Sequence, residues 1–325
     1  MKPKIGAREG LGLALVVLLC VATALKEPRF LDATSINSVL LWMPLILVAA
    51  VGQLPVIVMR GIDISVGSVL GFSGIAVGLI LQANPGLPIP LAFLAGALTG
   101  AVLGSINASL ITWAKLPPIV VTIGTLTAFR GLTFLLSQGR QVDSSMVPRG
   151  LTTLAKDGLP LGQVTVSHLL LIALLVAILG AVGLKYTQMG RDIFAYGSNP
   201  TAAFLRGVPI NKATFWAYTL CGATAGLAGV MYAARFGFVN PGTAGQNFEL
   251  TVIAAVAIGG VKITGGYGSI AGAVIGCLLL SCLNVALSVL GIDANWQMLA
   301  YGAVILAALL IDSGIRMTRR EAVAA

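Results

Sequence analysis

A succession of long apolar runs limits what this chain can fold into more than any other feature of its sequence. A helix needs roughly 20 mainly apolar residues to cross the hydrocarbon core of a bilayer, which is about 30 Å thick. The runs predict about ten membrane-spanning helices, which we place near residues 10–25, 39–59, 66–81, 89–111, 119–137, 167–184, 213–234, 250–263, 270–290 and 296–311. We therefore predict an all-α polytopic membrane protein in which residues 1–325 form a single transmembrane domain.

The composition supports this fold class and excludes several others. Apolar residues make up 57% of the chain and charged residues 10%, whereas soluble chains are about 25% charged. A soluble enzyme, a disordered chain and a disulfide scaffold are therefore excluded. The net charge of +9 does not indicate a nucleic-acid partner, because the cations lie in short segments between apolar runs. The four cysteines lie inside apolar runs without a C-x-x-C pair, which predicts reduced core thiols and no metal site.

The distribution of Lys and Arg predicts the orientation of the chain. Most of them lie in segments that are cytoplasmic if the N-terminus is cytoplasmic, as the positive-inside rule requires. We therefore expect both termini in the cytoplasm, an outer loop near 138–166, a cytoplasmic loop near 185–212 and a basic cytoplasmic tail at 312–325. Residues 22–24 also resemble a signal-peptidase site, but we favour an uncleaved first helix because the rest of the chain is embedded as well.

The cytoplasmic loop contains the signals of a short helix. Asn199 is suited to capping a helix and Pro200 to its first position. Thr201 to Leu205 would then be helical, and Gly207 suits the left-handed residue that follows a helix. Such a helix would lie across the cytoplasmic face, where another protein could push or pull on two membrane helices. A plain ordered loop is the alternative interpretation.

The sequence indicates no energy source within this chain. It contains no Gly-Lys pair, and a phosphate-binding loop needs that lysine beside its glycines, so we predict no nucleotide or other cofactor. The glycine-rich segment 265–269 is better interpreted as a helix break at the membrane surface. Proton-coupled carriers use carboxylates near the membrane midplane, but Asp63 and Asp312 lie at the ends of predicted spans.

Four passages resemble the inner-membrane permease subunits of bacterial sugar-importing ABC transporters of the ribose, xylose, arabinose and galactose type. They occur in the family's order at residues 61–68, 116–131, 189–210 and 259–269. The resemblance implies a complex of two permeases and two cytoplasmic ATPase subunits, supplied by a periplasmic sugar-binding protein. It also implies that the cytoplasmic loop couples to the ATPase through Gly190, Arg191, Gly197, Asn199, Pro200, Ala202, Ala203 and Gly207. Thr201 stands where related importers often have an acidic residue.

A second set of residues consists of polar side chains and small residues in or beside the spans. The candidates for the translocation pathway or its gate are Asp63, Ser68, Asn107, Arg130, Gly268, Ser269 and Asn284. Structural interpretations compete with this one. Asp63 could cap the helix that follows it, the two asparagines could bond between helices, and the Arg130 guanidinium could extend towards the membrane surface.

Two functions from different classes remain in view. The first is the permease subunit of an ATP-driven, binding-protein-dependent importer in the bacterial inner membrane. Its substrate would be a monosaccharide (a pentose, hexose, deoxysugar or sugar-like furanose), moved by alternating access beside a second copy or a homologous permease. The alternative is a stand-alone, ion-coupled secondary carrier or channel, which the absence of midplane carboxylates disfavours. Neither function makes this chain an enzyme.

Overall fold

The structure is a computed structural model, and it describes residues 7–293 together with 296, 299, 302, 303 and 306. Twelve α-helices, a 3₁₀ turn at Pro28–Leu31 and one β-hairpin follow one another in residues 7–293. The helices are α1 (Ala7–Lys26), α2 (Ala33–Val58), α3 (Val66–Ala83), α4 (Ile89–Thr112), α5 (Pro118–Ser137), α6 (Arg149–Lys156), α7 (His168–Tyr186), α8 (Gln188–Ser198), α9 (Pro200–Leu205), α10 (Ile210–Phe236), α11 (Phe248–Ile258) and α12 (Ile270–Val289).

Eight of the described helices are long and apolar enough to cross a membrane: α1 to α5, α7, α10 and α12. The predicted span at 250–263 is only partly helical. Helix α11 has 11 residues and reaches only about 16 Å at 1.5 Å per residue, so it is too short to cross a bilayer by itself. The predicted tenth span at 296–311 and the tail at 312–325 lie outside the described residues, apart from the few helical positions named above.

The predicted outer loop contains regular structure that the sequence analysis missed. Helix α6 is followed by β1 (Gly158–Leu161) and β2 (Val164–Ser167), which pair antiparallel. The hairpin contacts α2, where the Thr165 N–H donates to Asn37 Oδ1 over 2.9 Å. We call this the hairpin end of the bundle. Helix α7 leads from there to the opposite end, which carries α8 and α9 and is called the α9 end.

Helices α2 and α10 form the centre of the bundle. In α2, 89% of the apolar stretch is buried, and in α10 72%, whereas the value for α1 is 17%. The outer helices α1, α4, α5 and α7 leave apolar side chains exposed along their length. A bilayer can cover such faces, since lipid tails are as apolar as leucine.

Glycines allow α4 and α10 to pack backbone against backbone. Gly96, Gly100 and Gly104 of α4 lie one turn apart and face Gly222 and Gly226 of α10. A Cβ on Gly100 would meet the Gly222 carbonyl oxygen, and a Cβ on Gly222 would meet the Gly100 carbonyl oxygen. Small residues at such a face let helices approach closely in lipid, where no hydrophobic force draws them together.

Candidate functional site

The α9 end contains the short helix that the sequence predicts. Asn199 Oδ1 accepts from the Ala202 N–H over 3.0 Å, and Pro200 occupies the first turn of α9. Gly207 follows with a φ of +73°. The prediction of a capped helix ending at a left-handed glycine is therefore confirmed, and the alternative of a plain ordered loop is wrong.

Helix α9 presents an apolar surface to its surroundings. Phe204 is 72% exposed and Leu205 78%, while Ala203 is buried against the bundle and Ala202 is half-buried. Burying large apolar side chains stabilises a protein by about 1.5–3 kcal/mol each. A helix that exposes two of them on six residues is suited to docking against another surface.

A second helix, α8, precedes α9 and was not predicted. Its N-cap is Thr187, whose Oγ1 accepts from the Gly190 N–H over 3.1 Å. A Cβ on Gly190 would meet the Leu184 carbonyl oxygen, so the turn from α7 into α8 needs glycine at this position. Arg191 donates from Nη1 to the Tyr186 carbonyl oxygen over 3.3 Å and spans the same turn.

Helix α8 is hydrogen-bonded to the non-helical segment between α2 and α3. Arg60, which has a φ of +64°, donates from Nε to the Gly197 carbonyl oxygen over 2.9 Å. The same guanidinium donates from Nη2 to the Ser198 carbonyl oxygen over 3.2 Å. Hydrogen bonds from charged donors are about twice as strong as neutral ones, so Arg60 firmly connects the segment between α2 and α3 to the end of α8.

The non-helical segment between α11 and α12 contacts the same residues at the end of α8. The Gly266 N–H donates to the Val58 carbonyl oxygen over 2.9 Å, and Ser198 Oγ donates to the Gly266 carbonyl oxygen over 3.4 Å. A Cβ on Gly197 would meet both the Val58 carbonyl oxygen and the Gly266 nitrogen. We call this meeting of three segments the junction, formed by Val58, Arg60, Gly197, Ser198 and Gly266.

Two pathway candidates, Asp63 and Asn107, belong to a buried polar cluster beside the junction. Asp63 Oδ1 accepts from the Ser65 N–H over 2.9 Å and from Ser65 Oγ over 2.6 Å. Asn107 Nδ2 donates to Ser65 Oγ over 2.8 Å, so the bonding interpretation of Asn107 is confirmed. The sequence analysis considered Asp63 as a cap of α3. The structure shows no such cap, because the Asp63 carboxylate binds Ser65, the residue before the helix. Burial raises the pKa of the Asp63 carboxyl, although the bonds from Ser65 act in the opposite direction.

Sequence reasoning missed other members of this cluster. Cys221 Sγ donates to Gln53 Oε1 over 3.2 Å, and both residues are fully buried. Gln53 Nε2, Asn107 Oδ1 and the Tyr218 hydroxyl are buried without a hydrogen-bond partner in the described part of the chain. Buried polar groups rarely stay unpaired, so these three atoms mark a polar site within the apolar core.

Two of the other pathway candidates, Ser68 and Arg130, lie where α3 packs against α5. Ser68 Oγ donates to the Leu126 carbonyl oxygen over 2.7 Å, which joins α3 to α5. Arg130 Nη1 donates to the Ala244 carbonyl oxygen over 2.6 Å. Arg130 thus holds the segment between α10 and α11 and does not extend freely to the surface.

The last three candidates divide between the two ends of the bundle. Ser269 is the N-cap of α12, where Oγ accepts from the Gly272 N–H over 3.0 Å and donates to Glu9 Oε1 over 2.7 Å. Gly268 lies against the Val261 side chain in the break before α12. Asn284 lines a pocket at the hairpin end. Among the described residues, no group of three or more His, Cys, Asp or Glu could hold a metal ion.

The fold and the α9 end can now be compared with known proteins. The profile of a family described as the permease component of branched-chain amino acid transport systems matches residues 35–309. The chain belongs to this permease family. No solved structure shows significant similarity to the permease.

Several curated relatives cover nearly the whole permease. The autoinducer 2 import system permease protein LsrC of Enterobacter sp. (strain 638) is 33% identical over 311 residues, which cover 95% of this chain and 88% of that protein. The LsrC proteins of Salmonella typhimurium (strain LT2) and Yersinia pestis (strain Pestoides F) are 33% and 32% identical, each over 95% of this chain and 86% of theirs. The resemblance to import-system permeases is confirmed, and the chain is a multi-pass membrane protein.

Proposed function

We propose that this permease is the membrane-spanning subunit of an ATP-driven, binding-protein-dependent importer of a monosaccharide or sugar-like furanose. The observation that supports it best is the junction. There the helix pair α8–α9, of which α9 exposes Phe204 and Leu205, is bonded to the segment between α2 and α3 through Arg60 and to the segment between α11 and α12 through Gly266. Displacement of α9 by a partner would therefore move the starts of α3 and α12 together.

The partners follow from this mechanism. A cytoplasmic ATPase subunit would receive Phe204 and Leu205 of α9, and the remaining coupling residues would hold α9 in place. A second permease copy or a homologous permease would complete the passage, and a periplasmic sugar-binding protein would deliver the substrate. ATP hydrolysis would take place on the separate ATPase subunit.

The topology is part of the proposal. The α9 end would face the cytoplasm, and the hairpin end the periplasm, in the bacterial inner membrane. Both termini would be cytoplasmic, with a further span at 296–311 and the basic tail at 312–325 on the cytoplasmic side. Residues 1–325 would form one transmembrane domain. The substrate class is supported by the relatives, which are permeases for autoinducer 2 import.

Reconstitution into proteoliposomes tests the function. We expect uptake of radiolabelled monosaccharide only when the partner ATPase, ATP inside the vesicle and the binding protein outside are all present. Omitting any one of them should reduce uptake to the level of empty vesicles. Uptake by this chain alone, driven by a proton or sodium gradient, would contradict the proposal and support a secondary carrier.

Replacing Gly207 tests whether α9 couples the two subunits. Gly207→Val places a β-branched residue at a φ of +73°, a conformation that costs L-residues about 1–2 kcal/mol. The end of α9 should therefore shift, so that uptake and substrate-stimulated ATPase activity both fall severalfold at unchanged membrane insertion. Gly207→Asn is the matched control, because asparagine adopts this conformation more readily, and it should retain most of the coupling. Equal coupling in both variants would refute the role of α9.

A further inference from the structure

A pocket at the hairpin end has a chemistry that the transport mechanism does not use. It has a volume of about 280 Å³ and lies between the start of α2 and the ends of α10 and α12. Its polar and aromatic lining includes Thr34, Ser38, Trp42, Arg235, Asn284 and Ser288. The sequence analysis singled out only Asn284 among these residues, since hydroxyls and one arginine near span ends form no recognisable pattern.

Among the described residues, Arg235 is the only charged one in the lining of this pocket. Its Nη1 is buried and has no hydrogen-bond partner in the described part of the chain. The residue as a whole is half-buried, and a cation partly removed from water without a counter-charge is costly. The buried Nη1 donor without an acceptor adds to that cost. An anion bound in the pocket would supply the missing counter-charge.

The Arg235 guanidinium is held in place before any ligand binds. Its carbon lies 4.0 Å from the centre of the Trp42 ring, within the range of a cation–π contact. Trp42 in turn packs edge to face on Phe236, with ring centres 5.9 Å apart. A planar guanidinium fixed in this way presents its N–H groups in the fork that fits phosphate and carboxylate oxygens.

Backbone dipoles do not reverse the preference for an anion. The start of α2 contributes a positive helix end to the pocket, while the ends of α10 and α12 contribute negative ones. Each helix end carries about half an elementary charge. These partial charges oppose one another, so the full charge of Arg235 decides the sign.

The pocket lies at a position along the helices that corresponds to the headgroup layer of a bilayer. Helix α10 has 27 residues and α2 has 26, so each is about 40 Å long and exceeds the hydrocarbon core of about 30 Å. Arg235 lies in the last turn of α10 and Thr34 in the first turn of α2. Trp42 lies deeper, as is typical of tryptophan at a membrane interface.

We propose that this pocket binds a phosphate oxyanion through Arg235, with the phosphate of a phospholipid headgroup or free phosphate as its source. The Ser288 hydroxyl would supply a further hydrogen bond. The pocket would be a lipid or anion site separate from the junction, and its occupancy does not depend on which solute is carried.

Lipid retention by the purified full-length chain tests this proposal. The protein is incubated in detergent with equal amounts of phosphatidylglycerol and a diglucosyl diacylglycerol of matched acyl chains, and bound lipid is measured by native mass spectrometry. We expect at least a tenfold preference for phosphatidylglycerol in the wild type, its loss in Arg235→Gln and its retention in Arg140→Gln. Arg140 is the matched control because it is an exposed arginine of the loop after α5.

A second arm distinguishes the two sources of phosphate. Thermal unfolding is followed with inorganic phosphate against chloride at equal ionic strength, since a ligand that binds only the folded state raises its melting temperature. Stabilisation that requires Arg235, without lipid preference, identifies free phosphate as the source. If Arg235→Gln does not fold, Ser288→Phe provides the test, because it narrows the pocket from an exposed position and leaves the cation.

The outcomes that overturn the proposal are equally specific. One is equal retention of the two lipids together with equal phosphate stabilisation in the wild type and both pocket variants. Another is a preference for the glucosyl lipid that depends on Arg235, which would assign the pocket to neutral hydroxyl-rich ligands.

Discussion

Gly197→Val is expected to reduce substrate-stimulated ATPase activity and uptake at least tenfold while the protein stays in the membrane. A Cβ at this position would meet the Val58 carbonyl oxygen and the Gly266 nitrogen, which are both backbone atoms. Backbone cannot rotate away as a flexible side chain can, so α8 must move off the junction. The bonds from Arg60 to Gly197 and Ser198 would lengthen or break with it.

The measurement compares uptake and ATPase stimulation in proteoliposomes that contain the whole complex. Gly183→Val is the matched control, because Gly183 lies in the last turns of α7 near the same end and a Cβ there meets no heavy atom within 4 Å. Basal ATPase activity should stay at the wild-type level in both variants, since we place the nucleotide sites on another subunit. Wild-type coupling in Gly197→Val would show that the junction does not transmit movement.

The parts of this site that sequence reasoning found are those set by neighbouring residues. Asn199, Pro200 and Gly207 act within a few positions of one another, so the cap, the first turn and the left-handed end of α9 can be read from the sequence. The long spans were predictable for a similar reason. Their length and apolarity are local properties that the bilayer itself requires.

Helix α8 and the early end of α11 were not predicted, because both depend on contacts that are distant in the sequence. Gly190 and Gly197 resemble helix breakers, but each is required where another backbone segment passes close by. The apolar run of α11 continues past its end at Ile258, so hydropathy does not show where the helix stops. Contact between Gly259 and Gly272 of the next helix accompanies that stop.

The buried polar cluster shows the same limitation for uncharged residues. Gln53 and Cys221 bond across 168 positions of sequence. Asp63 binds the nearby Ser65, but the bond from Asn107 that joins α4 to Ser65 spans 42 positions. Pairing between distant helices depends on tertiary packing, which no local pattern encodes.

The largest loss of stability is expected from Gly100→Val in α4. A Cβ there would meet the Gly222 carbonyl oxygen and the backbone of Gly226. The two helices would have to separate along the contact that joins the lipid-exposed α4 to the central α10. Overpacking a well-packed interior costs about 1–3 kcal/mol and sometimes more. We expect a value at or above the upper end, because the obstructing atoms belong to backbone on both sides.

The control for this prediction must make the same glycine-to-valine change within a helix, at a position that has no contact with a neighbouring helix. Gly124→Val in α5 meets that condition, since a Cβ on Gly124 has no heavy atom within 4 Å. The free energy of unfolding, measured in mixed micelles with increasing denaturing detergent, should fall by about 3 kcal/mol or more for Gly100→Val. Gly124→Val should change it by less than about 1 kcal/mol, because valine and glycine differ little in helix propensity. Similar losses in the two variants would mean that α4 and α10 are held together by their larger side chains and that the glycine contact adds nothing specific.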